Sequence, residues 1–354
     1  MKVLLTVASL RPSYGGPAFS VSQLAGALSR AGVDVGLWAP DGSAADTPLP
    51  LPAAVERLAD LDAFRPDLLH DNGIWLPHNH RLARLAAKRR LPRFVSTRGM
   101  LEPWAVRHKG AKKRLAWLLY QRSDLRRAQA LHATAEPEAR NLGRLKLRVP
   151  ITTIANGIDM PSERPGREDG SPRTALFMGR IYPVKGLPML IEAWARVRPK
   201  GWVLEIAGPD EAGHQAQVEA VVRAHGLSDV VRFVGPVAGQ KKHAAFHRAD
   251  LSVLSSHSES FGMAVGEALA HGLPVLATRA APWPMLEARG CGWWVEPSVE
   301  GLAEGLQRAT GHDAPTLRTM GDKGRALIAA DYSWDHAAAA FIGLYDDALR
   351  RAAG

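Results

Sequence analysis

Two short stretches of this 354-residue chain concentrate the side chains best able to do chemistry. In "SHSESFGMAVGEALAHGLPVLAT", Glu259 lies in a serine-rich loop, Phe261 and Gly262 open a predicted helix running from Met263 to His271, and Glu267 lies on that helix. The first turn of a helix has N–H groups without intrahelical partners and partial positive charge, which makes it a ready phosphate site. Two glutamates eight residues apart span about 12 Å at the helical rise of about 1.5 Å per residue. Acid and base of a glycoside hydrolase stand closer, roughly 5–9.5 Å apart. The spacing suits instead a ligand with hydroxyls at each end and a diphosphate between them, because a carboxylate accepts hydrogen bonds from ribose hydroxyls. In the second stretch, "MGRIYPVKG", Arg180 and Lys185 share a loop with Pro183 and Gly186, and two cations on one loop can neutralise a diphosphate. Taken singly, each residue also has a plainer reading, as a solvated surface cation or as a helix carboxylate in water or near the dipole.

Other constellations are weaker. Gly15 and Gly16 in "SYGGP" follow the first apolar run, but they make neither a Walker motif nor a full G-x-G-x-x-G, and they also suit a tight turn. His70, His78 and His80 lack metal-site spacing such as H-E-x-x-H. The "DLD" at 60–62 falls in "AAVERLADLDAFRPD", which reads as a helix and a loop with a solvated face. No G-x-S-x-G is present, and the single cysteine, Cys291, excludes an internal disulfide framework and a cysteine-cluster zinc site. No metal and no cofactor are expected.

These side chains need a scaffold, and the rest of the chain describes one. Hydrophobic residues make up 46% and charged residues 23%, the balance of a folded globular chain rather than a disordered one. No apolar run reaches the about 18 residues of a spanning helix, and "MKVLLTVASL" reads as a buried strand rather than a leader. Both halves alternate short apolar runs with amphipathic ones, the pattern of parallel strands joined by crossover helices. "VDVGLWA", "DLLHDNGIW", "RFVSTRG" and "ALHATAE" follow the first strand. "TALFMGR", "VLEIAGPD", "VRFVGPV", "DLSVLSS" and "PVLAT" restart the pattern after a linker-like "MPSERPGREDGSP" at 160–172. The expectation is two doubly wound α/β domains, 1–165 and 166–334, with a final helix at 335–354. In open parallel sheets, ligands bind beyond the carboxyl ends of the strands.

Charge divides unevenly. Residues 1–160 hold 24 Lys+Arg against 13 Asp+Glu, residues 161–354 hold 21 against 22, and 81–127 alone carry 15 basic and 2 acidic side chains. A local excess of this kind points to an anionic surface or ligand. Within 107–127, Lys109, Lys112, Lys113, Arg114, Arg122, Arg126 and Arg127 alternate with Leu115, Trp117, Leu118 and Tyr120, as in a basic amphipathic helix at a membrane interface. A buried helix with solvated charges, or a stripe that grips an acidic saccharide, fits the same residues.

In combination, "GGP" after the first strand, "IANGID", "MGRIYPVKG" and "ESFGMAVGEALAHGLPVLAT" resemble the retaining glycosyltransferases of the GT-B fold, glycosyltransferase family 4. The last of these is that family's E-x7-E element. "STRGMLEPWAVRHKGAKKRLAW" is similar to a bacterial subgroup that builds surface polysaccharide or lipopolysaccharide. The resemblance implies two Rossmann-like domains facing across a cleft, the second holding a nucleoside-diphosphate sugar. It implies that Arg180 and Lys185 hold the diphosphate, that Glu259 contacts the donor sugar, and that Glu267 binds the ribose. The backbone of Phe261, Gly262 and Met263 would face sugar and phosphate, and Gly15 and Gly16 would approach from the first domain. Asn156 and Asp159 would be structural, and the final helix would cross back to the first domain. The implied reaction is metal-independent transfer of a hexose to a glycan or lipid-linked saccharide in the cytoplasm, at the inner face of the plasma membrane. Relatives carry a histidine where this chain has Arg98 in "STRG". Arginine is no base, so the implied role is to stabilise the leaving phosphate or bind the acceptor. A nucleotide-sugar epimerase stays open as an alternative. So does a nucleic-acid binder using the basic stripe, although the expectation is no nucleic acid.

Overall fold

A computed structural model describes residues 1–107, 110–161 and 172–353. The expected linker at 160–172, the boundary at 165/166, His108 and Lys109 thus fall wholly or mainly outside the described residues. The chain divides into two units, Met1–Gly157 with Tyr332–Gly354, and Ile158–Asp331.

The first unit holds a 7-stranded sheet ordered β3-β2-β1-β4-β5-β6-β7. Its strands are β1 (Lys2–Val7), β2 (Asp34–Trp38), β3 (Glu56–Leu58), β4 (Leu68–Asn72), β5 (Arg93–Ser96), β6 (Ala130–Ala133) and β7 (Ile151–Thr153). All pairings are parallel. The second unit holds a 6-stranded sheet ordered β10-β9-β8-β11-β12-β13. It is formed by β8 (Arg173–Met178), β9 (Trp202–Ala207), β10 (Val231–Gly235), β11 (Leu251–Leu254), β12 (Val275–Thr278) and β13 (Gly292–Val295), again parallel throughout. The central strands are near-continuous buried apolar runs, as a sheet covered on both faces requires.

Each sheet reverses its winding once, between β1 and β4 in the first and between β8 and β11 in the second. Crossover helices on either side of such a reversal go to opposite faces, and the strand ends there are left open. One sequence expectation fails. Residues 53–67, read as helix and loop, form the short edge strand β3 and a turn of 3-10 helix at Leu61–Ala63. The basic stretch is helical from Gly110 to Arg126, as expected, but not uniformly α: Gly110–Ala116 and Arg122–Arg126 are α-helical, and Trp117–Gln121 between them is π-helical. Among the described residues, no helix is long and apolar enough to cross a membrane.

The last helix, Trp334–Ala353, is pinned to the first sheet by a buried polar chain. Tyr345 Oη lies 2.5 Å from His70 Nδ1, His70 Nε2 lies 2.7 Å from Ser96 Oγ, Ser96 Oγ lies 2.6 Å from His132 Nδ1, and His132 Nε2 lies 2.8 Å from the Ile154 carbonyl. A carbonyl only accepts, so one end fixes every proton: His132 Nε2 donates to Ile154, Ser96 to His132, His70 Nε2 to Ser96, and Tyr345 to His70. This requires both imidazoles neutral. Burial supplies that, pulling His132 down to about 3, with the Arg98 charge adding to the effect, and His70 well below the ordinary range. Beside this chain, Gly157 lies so close to Trp334 that a Cβ there would meet the indole at 2.4 Å.

Acid should therefore loosen this fold. A histidine that is neutral when folded but protonates near 6.5 when unfolded makes the unfolded chain the better proton binder at low pH. The stabilisation is complete above the unfolded value and falls as pH drops from there toward the folded values, by about 1.4 kcal/mol per pH unit per histidine. The thermal midpoint should drop between about pH 6.5 and 4, less steeply in His132→Asn. A midpoint flat across that window, or equally steep in the variant, would count against the neutral chain.

Candidate active site

The site is assembled at the reversal of the second sheet. The loop after β8 carries Arg180 and Lys185, and the loop after β11 carries Ser255, Ser256 and Glu259. Proline at the head of the 3-10 turn Pro183–Lys185 presets its φ, and Gly186 ends it at φ 64°. Gly186 has little choice of residue: a Cβ there would lie 2.2 Å from the Ser255 carbonyl oxygen. That approach lets the two loops bond directly. Ser255 Oγ donates to the Lys185 carbonyl at 2.8 Å, and the His257 N–H donates to the Val184 carbonyl at 2.7 Å.

The fastening brings Lys185 and Glu259 together. Lys185 Nζ donates to Glu259 Oε1 at 2.6 Å, and Ser256 Oγ donates to the same oxygen at 2.6 Å. Ser256 is itself held through its carbonyl by Thr278 Oγ1 at the end of β12, and the Glu259 N–H donates to the Ala280 carbonyl. The side chains of Lys185 and Glu259 are only 17% and 12% exposed, so the pair is largely withdrawn from water. Arg180 is turned elsewhere, to Glu211 on the loop after β9. The structure therefore gives the two expected diphosphate cations separate carboxylate partners.

Glu259 precedes the helix Met263–Ala270 rather than lying on it, so the 12 Å helical ruler does not apply to the two glutamates. Phe261 is buried in ring contact with Trp283, whose indole N–H donates to the Phe261 carbonyl at 2.6 Å. Gly262 adopts φ 81° as the residue before the helix, and no side chain caps the N-terminus that Met263 begins. Glu267, in the second turn, pairs with a residue the sequence reading passed over: Lys242 Nζ donates to its Oε1 at 2.6 Å.

The first unit holds the remaining candidates. Gly15, at φ 81°, ends a 3-10 turn after β1, and Gly16 opens the helix Gly16–Arg30. A Cβ at Gly16 would meet nothing within 4 Å, so the backbone there is open to a ligand. Arg98, after β5, adopts φ 51°, unusual for a residue with a side chain. Its guanidinium donates to Asn72 Oδ1 at 2.6 Å and to Asn156 Oδ1 at 2.9 Å. Burial lowers it to about 10, the Glu138 charge opposing, and it stays a cation at neutral pH. Glu138 was also missed. Its carboxylate accepts from Thr97 Oγ1, the Gly99 N–H, and the N–H and hydroxyl of Thr134, which fixes the loop that carries Arg98. Nearby, burial pushes Glu102 up to about 7, the Asn141 amide opposing. Of the histidines, His70 belongs to the polar chain and His80 pairs with Asp124. Among the described residues, no group of three His, Cys, Asp or Glu side chains is placed to hold a metal ion.

Residues 15–157 match the family described as Glycosyl transferase 4-like domain, and residues 161–327 the family described as Glycosyl transferases group 1. D-inositol 3-phosphate glycosyltransferase 2 of Catenulispora acidiphila is 32% identical over 244 residues, covering 63% of this chain and 57% of that protein. D-inositol 3-phosphate glycosyltransferase of Mycolicibacterium smegmatis is 31% identical over 247 residues, covering 63% and 54%. The chain thus spans little more than half the length of these curated relatives. Among solved structures, sucrose-phosphate synthase from Thermosynechococcus elongatus superimposes with a TM-score of 0.77 at 20% identity over 98% of both chains. Anabaena HepE in complex with UDP and glucose gives 0.73 at 19% identity over 98% of this chain and 100% of that one. Identities this low speak for the fold, and the fold is GT-B. The chain thus carries a segment that matches the Glycosyl transferase 4-like domain, followed by one that matches Glycosyl transferases group 1, in a GT-B fold.

Proposed function

We propose that this chain transfers a hexose from a nucleoside-diphosphate sugar to a hydroxyl of a saccharide or lipid-linked acceptor, with retention at the anomeric carbon and without a metal. The observation that carries the reading is the Lys185–Glu259 pair, 2.6 Å apart and set at the carboxyl ends of β8 and β11. A donor diphosphate takes the place of Glu259 on Lys185 and of Glu211 on Arg180. Glu259, released, meets hydroxyls of the donor sugar, and Glu267 accepts from the ribose. The N–H groups at Phe261, Gly262 and Met263 face the phosphates and sugar. On the first unit, Gly15 and Gly16 give a ligand close access to backbone, and Arg98 orders Asn72 and Asn156. The anomeric C–O bond to phosphate breaks as the acceptor oxygen bonds to the same face of that carbon, and the acceptor proton passes to the leaving phosphate. Charge grows on that phosphate, and cations fixed beforehand stabilise it without reorganising.

The acceptor is the less constrained partner. A bacterial surface polysaccharide or lipopolysaccharide intermediate follows from the resemblance, while the curated relatives are named for inositol phosphate. Both are compatible with the cationic first unit. Transfer assays with inositol 3-phosphate and with a lipid-linked saccharide separate them.

Calorimetric titration of UDP, with ADP and GDP in parallel, tests the donor assignment. A hydrogen bond to a charged group contributes about 1.5–3 kcal/mol, so Glu267→Ala should bind the accepted nucleotide about tenfold or more weakly. Glu259→Ala should bind it normally and lose turnover. Equal losses of affinity in both would show the donor to be misplaced along this segment.

The first unit also supports the peripheral membrane reading, on a corrected set of residues. Leu115, Leu118 and Leu119 are 59%, 80% and 70% exposed, a run of apolar side chains that a fully solvated surface does not favour. Exposed Lys112, Arg114, Arg122 and Arg126 surround them, whereas Lys113 turns inward to the Ala105 carbonyl and over the Trp75 ring. The helix Pro77–Arg89 adjoins this segment through His80, which contacts Tyr120 and Asp124. It borders a groove of about 1220 Å³ lined by Arg65, Arg81, Arg84 and Lys88 with no carboxylate. Leucines in the acyl boundary and cations at about 1 kcal/mol each near an anionic leaflet give reversible attachment. The protein should sediment with phosphatidylglycerol vesicles at low salt, and Leu118→Ser with Leu119→Ser should weaken this several-fold. No sedimentation at low salt would overturn the membrane contact.

A further inference from the structure

Lys242 and Glu267 come from two helices, Gly239–Arg248 and Met263–Ala270, and nothing in the spacing of the motifs connects them. The first helix is fastened to the second at the same turn. His271 Nδ1 lies 2.7 Å from the Glu267 carbonyl, so Nδ1 carries the proton. Burial, reinforced by the neighbouring His243, His247 and Lys242 charges, pulls His271 down to about 4 against that carbonyl, so the ring is neutral. Its Nε2 is then an acceptor, and His243 Nδ1–H donates to it at 2.9 Å. Phe246 stacks on the same imidazole with ring centroids 4.5 Å apart. Three contacts over two turns, from Lys242, His243 and Phe246, therefore hold Lys242 against Glu267, whose backbone carbonyl and side chain are both engaged. The Lys242 and Glu267 side chains remain 32% and 26% exposed, and Glu267 Oε2 has no hydrogen bond among the described residues.

A glutamate reaching from a helix toward solvent has several rotamers, and only some aim a lone pair at a given hydroxyl. Fixing one oxygen settles the plane of the other. We infer that Lys242 is a positioning and specificity-determining residue, which holds Glu267 Oε1 so that Oε2 is presented to the vicinal hydroxyls of a ribose and the site selects ribonucleotides over 2′-deoxyribonucleotides. This rests on the reading of Glu267 as the ribose acceptor. An ammonium donates only, so Lys242 cannot replace the carboxylate as an acceptor, and its effect passes through Glu267. Pre-organisation of this kind raises affinity by removing the cost of ordering the side chain on binding.

The test is titration of UDP, ADP and GDP, each against its 2′-deoxy counterpart, into the wild-type chain and the Lys242→Met, Lys242→Arg and Glu267→Gln variants. Thermal unfolding confirms that each variant is folded. The wild type should prefer the ribo form of the nucleotide it accepts by about tenfold, as one charge-assisted hydrogen bond gives. Lys242→Met should lose most of that preference while binding the 2′-deoxy form within about twofold of wild type, and Lys242→Arg should recover part of it. Collapse of the preference in Glu267→Gln but not in Lys242→Met would overturn the role of Lys242 and leave the ribose reading standing. A preference untouched in Glu267→Gln would overturn the ribose reading itself. Equal weakening of both forms in Lys242→Met would make Lys242 a general cation rather than a positioning one. Failure of all three ribonucleotides to bind would overturn both.

Discussion

The Lys185–Glu259 ion pair ties together the two loops of the proposed donor site, and much of the local structure serves to make that pair possible. A charge withdrawn from water needs an opposite charge and further hydrogen bonds, or it is a net loss. Here the carboxylate also accepts from Ser256, and the lysine backbone accepts from Ser255. Both serines follow β11, and the lysine loop follows β8, so the pair requires these strands to be neighbours. They are neighbours because the sheet reverses its winding there. Gly186 completes the arrangement by having no Cβ where the Ser255 carbonyl passes.

The first unit answers the same constraint differently. One of its buried charge pairs, Arg93 on Asp71 at 3.0 Å, is enclosed, and Asp71 also accepts from Thr6 and Asn79. Arg98, where the family resemblance implies a histidine, has a left-handed backbone and donates to two asparagine oxygens. One of them belongs to Asn156, in the "ANG" that ends this unit. A guanidinium committed to two side-chain amides is a scaffold cation: its charge is fixed in space, and the loop that carries it is anchored by Glu138.

The alternation of apolar and amphipathic runs was enough to read two parallel α/β units from the residues, because buried parallel strands and crossover helices write distinct periods into a chain. The loops carrying Arg180, Lys185 and Glu259 were legible for the same reason, since strand ends in such sheets are marked by glycine, serine and threonine. The edge strand β3 was not, because three residues with two exposed side chains leave no period to detect. Partners were not legible either. Lys185 and Glu259 are 74 positions apart, Arg180 and Glu211 31, and His70 and Tyr345 275. Lys242 lacked any local signal, since a lysine in the first turn of a surface helix looks like any solvated cation until Glu267 is seen beside it. The π turn in the basic helix was hidden as well, since it shifts the helical phase without changing composition.

The cation–carboxylate pairs of Arg180, Lys185 and Lys242 differ in what can open them. Arg180 and Glu211 are 44% and 40% exposed, and a pair so hydrated holds together by little, about 0–1 kcal/mol. Lys185 and Glu259 are much less exposed, so neither charge leaves unless another takes its place. A phosphate can do that for the lysine, because it brings negative charge and acceptor oxygens, and sugar hydroxyls can then donate to the freed glutamate. Lys242 and Glu267 are intermediate in exposure but would face a ribose, which is neutral. A neutral diol cannot replace a carboxylate as the partner of an ammonium ion, and it has no need to, since Oε2 is open. On the proposed reading, then, the Lys185 pair would exchange partners on binding while the Lys242 pair would persist. The same ion-pair chemistry would serve as a displaceable lock at the proposed diphosphate site and as a permanent brace at the proposed ribose site, and the charge of the arriving group would decide which.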